Sequence, residues 1–327
     1  MAVIDFDNLT SITREKVLPK IVDQIGLDQP LLKRFFDAAQ LWDKGTFIDV
    51  VVRYRFNSQG GSYSGLEKLQ NNQETTRTRA RFSVKQLYQP IVFSNLDLSK
   101  NGVNADGGVE QIANLMDTEM SEAKDSIRDK FCSQLFGDGT GNSFKNITGL
   151  KAGIDDGTLV DIYGGIQRTI YTWFKSNVTS SFGSLTLGKL ATMFDTCKSG
   201  SDKPSIIVTT ETIWSALEAL LQTQVRFTAD SNGYASADGG LQNLSFRATP
   251  VLADEYCPAG ELYMINEKYV KLYYMKHAKY PTDSNGLTVT PLREPVDQDG
   301  QVGYILWAGN LINSQPRRSA RATGVTA

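Results

Sequence analysis

The residue types that carry most protein chemistry are scarce in this chain. His277 is the only histidine among 327 residues, and general acid–base, nucleophile-activating and zinc chemistry mostly recruits imidazole. Within KLYYMKHAKY it reads as a surface or packing residue. Cys132, Cys197 and Cys257 are odd in number, far apart and without metal-ligand spacing. They read as buried thiols in a reducing compartment. The serines of GSYSG (61–65) do not occupy the G-x-S-x-G position of a nucleophile elbow. GDGTGN (137–142) has no Lys-Ser/Thr after its glycines, so it punctuates a turn and does not cradle phosphate. Asp297-x-Asp299-Gly300 resembles a fragment of a calcium loop but lacks the other oxygen ligands and the closing Glu, and reads as a hairpin turn. The strand–helix unit 205–222 has neither a glycine-rich fingerprint nor an acidic partner for a ribose, and reads as scaffold. We therefore assign no catalytic, cofactor-binding or metal residue, and no cofactor.

The chemistry left is charge. A net charge of −2 creates no whole-molecule field toward nucleic acid or membrane. Asp5 and Asp7 interrupt the first apolar residues, so no signal peptide is expected, and no apolar run approaches a transmembrane span. Locally the picture differs. Residues 46–88 carry seven Lys/Arg against three Asp/Glu. Arg53, Arg55, Arg77, Arg79 and Arg81 alternate with apolar residues on two runs, Val50–Phe56 and Arg77–Lys85, joined by a polar Gly/Ser/Asn tip. The alternation predicts a long two-stranded hairpin, which is marginal alone in water. It is either a solvated ribbon or a docking arm whose basic face meets an acidic surface on another subunit.

The acidic counterpart lies on the most regular stretch of the chain. From Gly107 to Phe136 apolar side chains recur at Val109, Ile112, Ala113, Met116, Met120, Ala123, Ile127, Phe131 and Leu135. That stripe predicts one helix about 45 Å long. Asp106 is placed as N-cap and Gly137 as a left-handed C-cap. Asp117, Glu122, Asp125 and Asp129 occupy the opposite face.

The remaining elements follow from periodicity. Residues 1–45 read as an arm with short helices, broken at Pro19, Gly26 and Pro30, with too little apolar surface for its own core. PIVFSNLDL (90–98) is a short strand and turn. Leu187, Leu190, Met193, Phe194 and Cys197 line one helix; Ile213, Trp214, Leu217, Leu220 and Leu221 line another. SIIVTT (205–210) is a buried-type strand between them, with Thr210 as N-cap. Residues 223–245 form a polar loop, and strands resume at 249–253 and 261–275. PRRSARATGVTA at the end reads as an extended surface tail. Length alone suggests two domains, and the element mix is α+β.

Four stretches carry a family resemblance. They are Leu135-Phe136-Gly137-Asp138-Gly139 with Gly149-Leu150; Tyr163-Gly164-Gly165-Ile166-Gln167-Arg168 with Trp173; Leu262-Tyr263-Met264-Ile265-Asn266 to Leu272; and Gly309-Asn310-Leu311 through Pro316-Arg317-Arg318. In order and spacing they resemble the major capsid protein of tailed bacteriophages, the Hong Kong ninety-seven-type fold shared with the herpesvirus capsid floor. The resemblance implies an N-terminal arm at 1–45, an extended β-hairpin loop at 46–90, and a peripheral domain at 91–185 and 266–316 around a spine helix at 107–136. It further implies an α/β axial domain at 186–265 and a C-terminal tail at 317–327. It implies no enzyme activity and self-assembly into pentamers and hexamers, an icosahedral virion shell built in the host bacterial cytoplasm. Scaffolding, portal and decoration proteins are the implied partners, together with double-stranded DNA enclosed without sequence recognition and no membrane. Many members of that family begin with a scaffolding segment that is removed; this chain starts almost at the arm, so either a separate scaffolding protein or an already trimmed sequence is expected, and Met1 favours the former.

On this reading the arm and hairpin gain burial only against neighbours. Arg53, Arg55, Arg77, Arg79 and Arg81 are expected near acidic residues of an adjacent subunit, with Asp117, Glu122, Asp125 and Asp129 as candidates. The C-terminal arginines read as solvated rather than DNA-bound. The alternatives are a non-viral compartment shell of the same fold and, further off, an α/β enzyme.

Overall fold

The structure is a computed structural model that describes residues 29–43, 45–96, 115–222 and 244–326. The arm before residue 29, Asp106 with the expected start of the long helix, the loop 223–243 and the side chain of Asp117 lie outside the described residues. In chain order the strands are β1 (Gln40–Leu41), β2 (Phe47–Arg53), β3 (Arg77–Ser83), β4 (Lys85–Ser94), β5 (Ile162–Tyr163), β6 (Ile166–Gln167), β7 (Asn177–Thr179), β8 (Gly183–Ser184) and β9 (Ile206–Thr209). They continue with β10 (Ser245–Phe246), β11 (Thr249–Ala253), β12 (Leu262–Ile265), β13 (Val270–Tyr274), β14 (Leu287–Val289), β15 (Gly300–Asn313), β16 (Ala320–Ala322) and β17 (Val325–Thr326). The architecture is α+β. Two compact units form. Of the described residues, one comprises 88–96, 115–128 and 289–305, and the other 29–87, 129–288 and 306–326.

The larger unit is built on a six-stranded mixed sheet in the order β10-β11-β9-β12-β16-β7. Its middle strands are uninterrupted apolar runs. All four residues of β9 and all four of β12 are buried, as strands covered on both faces require. The helices Leu187–Cys197 and Glu211–Gln222 lay their apolar stripes against it. Leu190, Met193, Phe194, Cys197, Ile213 and Leu217 pack with Ile207, Leu262 and Met264. The Thr186 hydroxyl caps the first helix by accepting from the Lys189 N–H.

The chain end is not a surface tail. β16 is an inner strand of this sheet, antiparallel to β12 and parallel to β7, and its residues Ala320, Arg321 and Ala322 are all buried. β17 pairs with β8. Small alanines carry a weak hydrophobic signal, yet their size is what lets the helices approach the sheet here. Strands β7 and β16 also show that this sheet draws on residues outside 186–265.

The described end of the arm packs on its own chain. Pro30 opens the helix Pro30–Asp37, where its missing N–H costs nothing. Leu31, Leu32 and Phe35 are buried, and Arg34 pairs with Glu267 at 2.8 Å. β1 then runs parallel to β13, whose other edge pairs antiparallel with β15 from Val270↔Asn313 to Tyr274↔Gly309.

The described long helix spans Leu115–Leu135. Ala123, Ile127, Phe131 and Leu135 are buried, as the stripe predicts. Phe131 meets Trp307 edge-on at 4.8 Å and Phe36 at 5.2 Å, each such ring contributing ~1.5–3 kcal/mol through burial. The helix end differs from expectation. The Gly137 N–H bonds to the Gln134 carbonyl at 2.9 Å, but the first left-handed glycine is Gly139, at φ +80°. The end is closed by Gly149. A Cβ there would stand 2.5 Å from the carbonyl oxygens of Gln134, Leu135 and Gly137, so the LFGDG…GL spacing brings a side-chain-free residue back onto the open carbonyls.

In the smaller unit, Arg293 and Val302 bridge antiparallel across the turn that contains Asp297-x-Asp299-Gly300. Asp299 there accepts from the Asn95 side chain at 2.6 Å, which is turn chemistry. Among the described residues no cluster of His, Cys, Asp or Glu could hold a metal ion, and no helix is long and apolar enough to cross a membrane. All three cysteines are buried free thiols.

Candidate interaction surface

The hairpin is present, with β2 and β3 antiparallel from Phe47↔Ser83 to Arg53↔Arg77. Side chains alternate across it. On the inner face Ile48, Ala80 and Phe82 are buried against Ala152, Tyr163, Ile166, Phe174 and Ile312. The expectation that the ribbon finds burial only on neighbours therefore fails at its base, which is sealed on its own chain. The seal is the Tyr163-Gly164-Gly165-Ile166 motif. Gly164 and Gly165 turn β5 into β6 with φ +59° and +76°, the two-residue turn whose twist matches antiparallel strands. The Gly164 carbonyl accepts from the Arg81 N–H at 2.8 Å, and a Cβ on Gly164 would lie 2.6 Å from the Phe82 ring.

Beneath the seal lies a buried ionic cluster. Asp155 and Arg168 are fully buried and Arg321 is 3% exposed. One Asp155 oxygen accepts backbone N–H groups of Gly157, Leu159 and Val160 at 2.9, 3.1 and 3.0 Å. The carboxylate also sits 3.8 Å from Arg168 and 3.5 Å from Arg321. Arg168 donates to the Ala152 and Val160 carbonyls and stacks 4.5 Å from the Tyr163 ring centre. Burial draws the Arg168 pKa down and pushes the Tyr163 hydroxyl up to about 12. The cluster is a lock. It joins the C-terminal strand to the clamp on the ribbon base, and it takes Arg321 out of reach of any DNA.

The outer face of the ribbon carries Phe47, Asp49, Val51 and Arg53 on β2 and Arg77, Arg79 and Arg81 on β3. Asp49 stands opposite Arg81 and bonds it at 3.0 Å, with Arg79 at 3.5 Å. These exposed pairs contribute ~0–1 kcal/mol each. Arg53 and Arg77, by contrast, face each other directly, an unfavourable like-charge pairing. Arg53 bonds the Arg55 carbonyl at 3.4 Å and lies over the Phe56 ring, and Arg55 bonds the Thr75 carbonyl at 3.0 Å. The five predicted arginines thus divide: two share Asp49, and three stand around the neck of the tip.

The tip, residues 54–76, begins where Tyr54 stacks on Trp173 at 5.2 Å. It presents Phe56, Tyr63, Leu66 and Leu69, each at least 60% exposed. Glu74 organises it by accepting from the Ser58 N–H, the Ser58 hydroxyl and the Gln59 amide at 2.9, 2.7 and 3.0 Å. The Ser58 hydroxyl, then its N–H, hold the Glu74 carboxyl at about 2, below the ordinary 4.5. A depressed carboxyl orders the tip above its ordinary value and releases it as pH falls. We expect Ser58 amide exchange to be slow at neutral pH and to accelerate, relative to neighbouring exposed amides, as pH falls from about 4.5 toward 2. Glu74→Gln should show the acceleration at neutral pH.

Of the carboxylates predicted on the long helix, Glu122 is exposed and Asp125 pairs with Arg128 at 2.9 Å. Asp129 accepts from the Tyr256 hydroxyl. Sequence reasoning missed Asp49, Glu74 and Asp155, and read Arg321 as part of a solvated tail where it is buried against Asp155. Asp49 was legible in principle, since aligning the two alternating runs sets it opposite Arg81.

The fold is shared with subunits of several solved shells. The chain resembles the capsid subunit of cyanophage A-1(L), with 16% identity, 98% of this chain and 99% of that chain covered, and a TM-score of 0.75. It resembles the capsid of the native GTA particle, with 11% identity, 99% and 100% covered, and a TM-score of 0.64. It also resembles the holo-SrpI encapsulin complex of Synechococcus elongatus PCC 7942, with 11% identity, 99% and 96% covered, and a TM-score of 0.57. No family model and no curated protein matches the sequence. The chain has the phage capsid fold.

Proposed function

We propose that the chain is a major capsid protein that assembles into pentamers and hexamers and closes an icosahedral shell around double-stranded DNA. The observation that carries this is the agreement with the cyanophage capsid subunit over 98% of this chain and 99% of that one. The ribbon supports it: an ordered tip with four exposed apolar side chains fits a subunit whose surface is completed by another copy. On this reading 1–45 is the arm, 46–90 the extended loop, 91–185 with 266–316 the peripheral domain and 186–265 the axial domain. The strand 320–322 belongs with the axial sheet rather than with a tail. Chemistry is no part of the role; geometry is, through heterologous contacts repeated until they close. Assembly in the host bacterial cytoplasm would draw on scaffolding and portal proteins, with a decoration protein as an added layer.

Electron microscopy of the purified protein tests this. Shells or capsomers are expected, and small discrete particles at all concentrations would overturn it. The encapsulin likeness supports a second reading, a protein-filled compartment. Ultraviolet absorbance of purified shells separates the two, since a packaged genome shifts the absorbance maximum to nucleic-acid wavelengths and a protein cargo leaves the spectrum that of aromatic side chains.

A further inference from the structure

The Arg53–Arg77 pair asks for an anion that its own strand pair does not supply. The apolar tip follows the pair directly, so the receiving surface must offer carboxylates bordered by exposed apolar groups. One compact excursion, residues 156–171, has that composition. Asp161 knits it together by accepting the Thr169 N–H at 2.9 Å, while the Arg168 N–H bonds the Asp161 carbonyl and the Tyr171 N–H bonds the Gln167 carbonyl. From it project Leu159, Ile162, Ile170 and Tyr171, at 52, 64, 65 and 49% exposure. Among them sit Asp156 and Asp161. The Thr169 N–H is the main cause of a lowered Asp161 carboxyl; for Asp156, burial acts upward and the Thr158 hydroxyl and N–H outweigh it. Lys175 faces both at longer range. The described outward face of the long helix offers carboxylates without exposed large apolar side chains. The turn at 296–299 offers Val296 alone.

We propose that the Arg53–Arg77 pair and the apolar tip of one subunit dock on the 156–171 excursion of a second copy, with Asp156 and Asp161 facing the arginines. Leu159, Ile162, Ile170 and Tyr171 cover Phe56, Tyr63, Leu66 and Leu69. This rests on the shell reading and names the surface through which subunits join. It replaces the helix face as the partner of the ribbon.

The test is site-directed crosslinking in assembled wild-type-like shells. Because the three native thiols are buried, engineered surface cysteines react selectively. Full-length Leu66→Cys/Ile170→Cys, assembled and oxidised by dissolved oxygen with a copper catalyst, loses two protons and two electrons per disulfide to the oxygen. A ladder of covalent oligomers on non-reducing gels is expected. Leu66→Cys/Glu122→Cys and Leu66→Cys/Val296→Cys should give none. A ladder in either of those, with none at Ile170, overturns the proposal. Arg53→Glu/Arg77→Glu in the Ile170 background should abolish the ladder at low salt, and an undiminished ladder would overturn the charge pairing. Wild-type protein that forms no shells removes the shell reading and this docking with it, whereas shells without the Ile170 ladder sink the docking alone.

Discussion

Replacing Arg168 by alanine should destabilise the folded subunit by about 3–5 kcal/mol, the cost of leaving a buried charge without its partner. Arg168 is fully buried, and its guanidinium donates to the Ala152 and Val160 carbonyls besides its ion pair with Asp155. Removing it leaves the buried Ala152 carbonyl and the part-buried Val160 carbonyl without this donor and strips one of the two cations from Asp155. Asp155→Ala should cost a similar amount by the opposite route, leaving Arg168 and Arg321 facing each other in a dry interior. The double variant Asp155→Ala/Arg168→Ala should cost less than the sum of the singles, because removing both halves of a coupled pair leaves fewer uncompensated charges. Urea denaturation of the unassembled subunit measures all three. A loss under about 1 kcal/mol for either single variant would place them with ordinary surface substitutions and show that water reaches the cluster.

Gly164→Ala should detach the ribbon from its base. The substitution meets two penalties at one position. The left-handed backbone at φ +59° costs an L-residue ~1–2 kcal/mol. The added Cβ, at 2.6 Å from the Phe82 ring, forces an overpacked contact costing ~1–3 kcal/mol. The ring belongs to the ribbon and the glycine to the clamp, so the strain is relieved by the ribbon lifting away. The expected readout is a subunit that keeps its far-ultraviolet circular dichroism, gains protease cleavage within 47–83, and loses most of its assembly. Phe82→Leu in the Gly164→Ala background should recover part of the stability, because it removes the clash and leaves the backbone strain. No recovery would assign the whole effect to the backbone.

The two variants expose how differently the parts of this molecule could be read. The long helix and the strand 206–209 follow from periodicity because each buries one stripe or a whole run, and burial of that kind repeats along the chain. The ribbon was readable for the same reason, down to which face is apolar. The YGGI-x-R stretch could be recognised by resemblance but not explained. Its glycines are required by a turn and by a ring from a strand about eighty residues earlier, and spacing along the chain holds no trace of that neighbour.

Charge was the least legible. Arg81 and Arg53 look alike in an alternating basic strand, yet one bonds Asp49 and the other faces Arg77. Arg321 looks like part of a solvated tail, yet it is buried against Asp155. A guanidinium has the same formula on a surface and in a core, and the difference lies in which partners arrive from elsewhere in the chain. Local pattern was enough for element type and apolar faces, since those are set by residues a few positions apart. Pairing of charges, the inner position of the last strand and the sealing of the ribbon base depend on contacts between distant segments, which form only when the sheet and the clamp close together.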